Sequence, residues 1–291
     1  MKMKPYNDKD TINVNTAAVA GVALLAVAVL VMIIVAVLIP AFSSKESAPP
    51  PSTVDGYIQY GGYNVPKYDN VPLNEYDVQQ FTRAENGRMA YPNATTGIDV
   101  SEFQGDIDWN AVKADGIDWA SIRIGRRGYT EGGMAPDAKF AANRDGALAA
   151  GLEYGVYYFS QSITVEEARE EAQYVLDTLA GAKLEGPVVY DWEEINEDGA
   201  RTANVDTATL CAMANEFCKV ISDAGYKTEV YFNTYTGYSR YDISQLNADA
   251  FWLASYSDTP NFYYNFERWQ YTHTGTVNGI NTNVDLNLKL K

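Results

Sequence analysis

The chain has 291 residues, enough for one barrel-sized domain with accessory segments, and its 46% hydrophobic and 13% aromatic content is too rich for a disordered protein. A formal net charge of -16, with no basic cluster set against it, argues against nucleic acid as a partner because phosphates would be repelled. With two cysteines and one histidine there is no zinc pattern, and His273 stands in no nucleophile motif, so acid–base chemistry at neutral pH falls mainly to carboxylates.

Residues 1–16 read as a cytoplasmic tail. Ala17 to Ile39 run without a charge. As a helix they would span ~35 Å, enough for a hydrocarbon core of ~30 Å, which predicts an uncleaved transmembrane signal anchor. Cleavage after Ala41 is the alternative. Lys2, Lys4 and Lys9 before the span, against Lys45 after it, place the N-terminus in the cytoplasm and the bulk of the chain outside the cell membrane. Residues 43–96 open with Ser, Glu and the triple proline Pro49 to Pro51 and show no helical or strand period. They read as an extracellular stalk, whose Tyr57, Tyr60, Tyr63, Tyr68 and Tyr76 are expected in solvent by default, with docking on the domain or contact with the wall as the alternative.

From Gly97 the texture changes to β-rich runs alternating with helical composition, the pattern of βα units around a parallel sheet. The runs are Ile98 to Val100, Ala120 to Ile124, Gly155 to Phe159, Val188 to Trp192, Glu229 to Phe232, Phe251 to Ala254, Arg268 to Tyr271 and Val284 to Leu286. Helical stretches fall near Trp109 to Asp115, Asp137 to Ala150, Val165 to Leu179 and Thr207 to Ala224, and become short or absent after the fifth strand. Eight strands predict an α/β fold, an irregular TIM-like (β/α) barrel over residues 97–291 with functional residues at the C-terminal strand ends. An open doubly wound sheet is the alternative, without a nucleotide-binding glycine motif to support it. Cys211 and Cys218, seven residues apart in a helical stretch, lie ~10 Å apart along its axis and cannot pair.

Residues Gly186 to Glu194 form a buried-strand pattern that ends abruptly in three acids. Side chains at i and i+2 share a strand face, so Asp191 and Glu193 point together while Glu194 points away. Glycoside hydrolysis needs a proton donor for the leaving oxygen and a negative group for the developing positive charge, and this spacing supplies both. An acidic strand end also caps helices or faces solvent, so the pattern alone leaves both readings open. Asp99 and Asp285 stand in similar apolar contexts in the first and eighth strands, which are neighbours in a closed barrel. A structural role for each remains open at this point.

These residues lie within motifs that resemble the glycoside hydrolase family 25 lysozymes, the Chalaropsis-type N-acetylmuramidases. The motifs, in order, are GIDVSEFQGDIDW from Gly97, GVYYFS from Gly155, VVYDWE from Val188, VYFN from Val230, FWLASY from Phe251, RWQYT from Arg268 and VDLN from Val284. The resemblance implies five βα units followed by a β-rich closing section. It also implies hydrolysis of the β-1,4 bond between N-acetylmuramic acid and N-acetylglucosamine in peptidoglycan. Glu193 would act as general acid and then base, with Asp191 orienting the substrate's 2-acetamido group as it attacks the anomeric carbon. Asp99 and Asp285 would support them, and configuration would be retained. Tyr157 and Tyr231 are candidates to bond the acetamido group or the acids, Trp252 to stack on sugar and Gln270 to hydrogen-bond; each ring taken singly is more often core than ligand. Tyr158 departs from the family, standing where many relatives carry histidine.

A glycan-binding wall anchor without catalysis would be expected to have lost one of the acids, and both are present. A chitinase-like enzyme would show acids earlier in the strand, where Val188 and Val189 stand. A membrane scaffold whose stalk recruits partners is the third reading. No metal or organic cofactor is implied by any of them.

Overall fold

The structure, a computed structural model, describes residues 56–290. The expected cytoplasmic tail, the transmembrane anchor at 17–39 and the first part of the stalk lie outside the described residues. Among the described residues no helix is long and apolar enough to cross a membrane.

From residue 56 the expected stalk is folded, which corrects that reading. Strands β1 (Tyr57–Tyr60) and β2 (Tyr63–Pro66) form an antiparallel hairpin. Its two-residue turn, Gly61 and Gly62, takes positive φ at both positions, a conformation that favours glycine. A second small hairpin joins β3 (Thr82–Arg83) to β4 (Met89–Ala90). Val65, Val71, Phe81 and Met89 are buried in one apolar core with Phe262, Tyr264, Phe266 and Trp269 of the barrel. Hydrogen bonds fix the segment: the Tyr68 amide donates to Tyr264 Oη at 2.8 Å, and Tyr76 Oη donates to the Phe266 carbonyl at 2.6 Å. Solvent is a poor place for so many rings once an uncovered barrel wall is within reach.

The barrel begins with β5 (Thr95–Val100), α1 (Trp109–Ala114), β6 (Trp119–Arg127), the short antiparallel flap β7 (Met134–Pro136), α2 (Phe140–Ala149) and β8 (Glu153–Ser160). It continues through α3 (Val165–Leu179), β9 (Val188–Trp192), α4 (Thr207–Asp223), β10 (Thr228–Asn233), α5 (Thr234–Ser239), β11 (Ala250–Ala254), β12 (Arg268–Gly275) and β13 (Val284–Lys289). The ring runs β5, β6, β8, β9, β10, β11, β12, β13 and returns to β5. Neighbours are parallel from β5 to β12, whereas β13 is antiparallel to both of its partners. All eight strands expected from the sequence lie in this ring, and its closure rules out the open doubly wound sheet.

Local sequence explains the elements. Asp108, Thr164, Asp206 and Asn233 cap the N-termini of α1, α3, α4 and α5 by accepting backbone N–H bonds. Helix α3 buries Ala168, Glu171, Ala172, Val175 and Leu179, the one-sided spacing of a helix against a barrel wall. Cys211 and Cys218 are free and buried on α4. In β9, Tyr190 packs on Phe217 of α4, so alternation turns Val189 and Asp191 into the lumen. Near the N-terminal strand ends the lumen holds a buried ion pair, with Arg268 Nε donating to Glu229 Oε2 at 2.6 Å. The guanidinium lies 4.2 Å from the centroid of the Trp252 ring and 5.2 Å from that of Trp119.

Candidate active site

The opposite end of the lumen gathers the four predicted acids. Asp99 projects from β5 and Asp191 from β9; Glu193 sits one residue past the end of β9. Asp285 lies directly across from Asp99 in the β13–β5 register. Because β13 runs antiparallel, a residue near its start reaches the same mouth as residues near the ends of the other strands.

Hydrogen bonds order this floor. Asp99 Oδ2 accepts from Asn287 Nδ2 at 2.7 Å and from Gln270 Nε2 at 3.0 Å. Gln270 Oε1 accepts from Tyr231 Oη at 3.0 Å and from Tyr256 Oη at 2.8 Å. Asn287 Oδ1 accepts from the Trp252 indole at 2.9 Å. Past β9, Gln161 Nε2 donates to the Glu193 carbonyl at 2.7 Å, pinning the backbone that carries the acid. Glu194 points away and pairs with Arg240 at 3.4 Å.

The acids themselves are short of positive partners. Asp191 is 6% exposed, and its Oδ1 has no hydrogen-bond partner. Burial, then the charges of Glu193 and Asp99, push its carboxyl well above the usual range, against a smaller pull from Arg123. That guanidinium is committed elsewhere, bonding Asp137 at 2.8 Å and Glu102 at 3.1 Å. Asp285 is raised by burial and by Asp99 and Glu193. Asp99 is raised by burial, which the amides of Asn287 and Gln270 partly offset. Glu193 is open to solvent at the rim, yet the crowded mouth strips part of its hydration, and Asp99 adds repulsion, pushing it up to about 7. A carboxyl titrating there can give up a proton and take one back at neutral pH. Among the described residues no cluster of His, Cys, Asp and Glu is placed to hold a metal ion.

Residues 98–280 match Glycosyl hydrolases family 25. The chain belongs to this family. It is 30% identical over 229 residues to Lysozyme M1 of Streptomyces globisporus, an overlap covering 71% of this chain and 74% of that one. The modular autolysin LytC of Streptococcus pneumoniae, solved with a synthetic peptidoglycan ligand, superposes with a TM-score of 0.59 at 26% identity. That match covers 81% of this chain and 57% of the autolysin, so this chain spans little more than half of the modular protein. A family 25 glycosyl hydrolase from Bacillus anthracis shares the fold, with a TM-score of 0.56, 21% identity, and coverage of 68% of this chain and 89% of that one.

This family 25 glycoside hydrolase brings together Asp99, Asp191, Glu193, Asp285, Tyr157, Tyr231 and Gln270 at its mouth. Trp252 requires a correction: it is 2% exposed, so it offers no face to a sugar. It fills the lumen above Arg268 and positions Asn287, because a barrel interior must be packed. Tyr158 points out of the barrel onto Tyr174, with ring centroids 5.7 Å apart, so its departure from the family leaves the acids untouched. Sequence reasoning missed Asn287, Tyr256, Arg123 and Gln161. Asn287 was within reach, since it stands two residues from Asp285 on the same strand face. Tyr256 lies beyond a strand end, where alternation no longer predicts direction. His273, half-buried on β12, packs at a tilt against the Tyr256 ring with centroids 4.7 Å apart, and burial lowers its pKa.

Proposed function

We propose that the chain is a lysozyme-type muramidase that hydrolyses the β-1,4 bond between N-acetylmuramic acid and N-acetylglucosamine in peptidoglycan. The observation that carries this is Glu193, held at about 7, beside Asp191 with a buried oxygen that nothing satisfies. Lysozyme M1 and the peptidoglycan-bound autolysin support the choice of substrate.

Glu193 donates its proton to the glycosidic oxygen as the bond from C1 breaks, and the 2-acetamido carbonyl oxygen closes on C1 from the opposite face. Asp191 Oδ1 is a free acceptor for the acetamido N–H, whose acidity rises as the ring takes positive charge. Water then attacks C1 and gives its proton to the Glu193 carboxylate, restoring the acid. Two inversions give net retention.

We place the barrel outside the cell, anchored by residues 17–39, on the strength of the uncharged run and the lysines before it.

The test is digestion of purified peptidoglycan by the full chain and by Glu193→Gln, with products analysed by mass spectrometry and NMR. New N-acetylmuramic acid reducing ends in the β configuration, absent with the variant, are expected. N-acetylglucosamine ends would overturn the bond assignment, and α products would overturn the acetamido route.

A further inference from the structure

The exposed aromatic rings of the described residues are five, namely Tyr63, Phe103, Tyr129, Tyr235 and Tyr256. Four of them follow the C-terminal ends of β5, β6, β10 and β11, so they stand around the mouth that holds the acids. The fifth, Tyr63, comes from the N-terminal hairpin, outside residues 98–280 that match the family.

That hairpin is tied to the level of the mouth. Asn261 Nδ2 donates to the Gly61 carbonyl in its turn at 3.1 Å. The Asn261 amide donates to Ser255 Oγ, and its carbonyl accepts from Thr234 Oγ1, both at 3.4 Å. Ser255 and Thr234 are the first residues beyond β11 and β10. The Tyr63 ring lies 5.9 Å from that of Tyr238 on α5, and Tyr60 packs edge-on against Tyr263 at 5.2 Å. Tyr238 is itself fixed, stacked on Phe262 at 4.7 Å and accepting from the Tyr263 amide at 2.7 Å. Tyr235, 65% exposed, precedes Tyr238 by three residues and so occupies the same side of the helix. Tyr63, Tyr238 and Tyr235 therefore form a row from the hairpin to the end of β10, continuous with the catalytic mouth.

We propose that the hairpin Tyr57–Pro66 builds an outer sugar subsite, in which Tyr63 and Tyr235 stack on a pyranose of the same glycan strand, away from the bond that is cut. Pyranose rings carry apolar C–H faces that aromatic rings cover, and tyrosine adds a hydroxyl for the ring substituents. An exposed apolar row joined to a binding mouth is where a long ligand gains contact that a short one does not reach. This assignment rests on the reading of the chain as a glycan hydrolase.

The test measures kcat/KM of the full chain on long uncross-linked glycan strands and on a peptidoglycan tetrasaccharide. In Tyr63→Ala/Tyr235→Ala the long-to-short preference is expected to fall about tenfold, through KM, the size of two lost ring contacts. Tyr63→Phe/Tyr235→Phe should keep most of the preference, and Tyr235→Ala alone, which leaves every hairpin residue in place, should lower it. An unchanged preference in the alanine variant overturns the subsite. If wild type cleaves neither substrate, the hydrolase reading fails separately. Cosedimentation with insoluble glycan then decides the subsite: loss of binding in the alanine variant supports it, and equal binding overturns it.

Discussion

The barrel lumen buries acids at both ends and treats them differently. Near the N-terminal strand ends, Glu229 is met by Arg268, and both side chains are at most 4% exposed. At the mouth, Asp191 has only the weak pull of Arg123, which already bonds two other carboxylates, while Asp285 and Glu193 are raised by lost hydration and by the charge of Asp99. Burying a charge costs several kcal/mol unless it is paired, so the first arrangement is one a stable core tolerates and the second is one it avoids. The difference separates charge kept for packing from charge kept for chemistry. An acid that lacks a cation and has lost hydration holds its proton, and a general acid at neutral pH needs that property.

The largest effect should come from the mouth. Glu193→Gln should lower kcat on peptidoglycan by about a thousandfold, the scale of a lost general acid, while leaving the thermal midpoint at pH 5 close to wild type. Next comes the other end. Arg268→Met strands Glu229 and should cost about 3 kcal/mol in chemical denaturation, and adding Glu229→Gln should recover much of it. If Arg268→Met were as costly to activity as Glu193→Gln without loss of stability, the division of roles would be wrong.

Asp191→Asn gives a smaller effect whose size depends on pH. The folded carboxyl holds its proton above the pH at which the unfolded chain releases one, about 3.9. Its burial therefore costs nothing below that pH and progressively more as pH rises towards the folded value. The substitution should raise the thermal midpoint at pH 8 by roughly 2–4 °C per kcal/mol recovered, and change it little at pH 4. Differential scanning fluorimetry at the two pH values checks this. The smallest change is Tyr256→Phe, which removes one of two hydroxyl donors to Gln270 and should cost about fivefold in kcat/KM, measured on the same substrate.

The barrel was legible because its strands are continuous apolar runs, and the acids because they interrupt those runs at their ends. Pairing of Asp99 with Asp285 followed from closure alone. Trp252 was misread because a large ring on a strand has two uses, and only the position of Arg268 beneath it shows which applies. The segment from Tyr57 to Ala94 was illegible for another reason. Its ordering contacts, such as Tyr76 to Phe266, span 190 positions in sequence and leave no local period. The need was visible even so: helices thin out after β10, and an apolar wall without helices must be covered by something.

The central claim is that lost hydration in the crowded mouth, with the charge of Asp99 added to it, holds Glu193 protonated up to neutrality, and the pH dependence of kcat/KM, in wild type and in Asp99→Asn, tests it most directly. Wild type should lose activity as pH rises through about 7, and Asp99→Asn should move that limb to lower pH by removing the repulsion from Asp99. A wild-type limb near the ordinary glutamate value of about 4.3, unmoved by the substitution, would contradict the account.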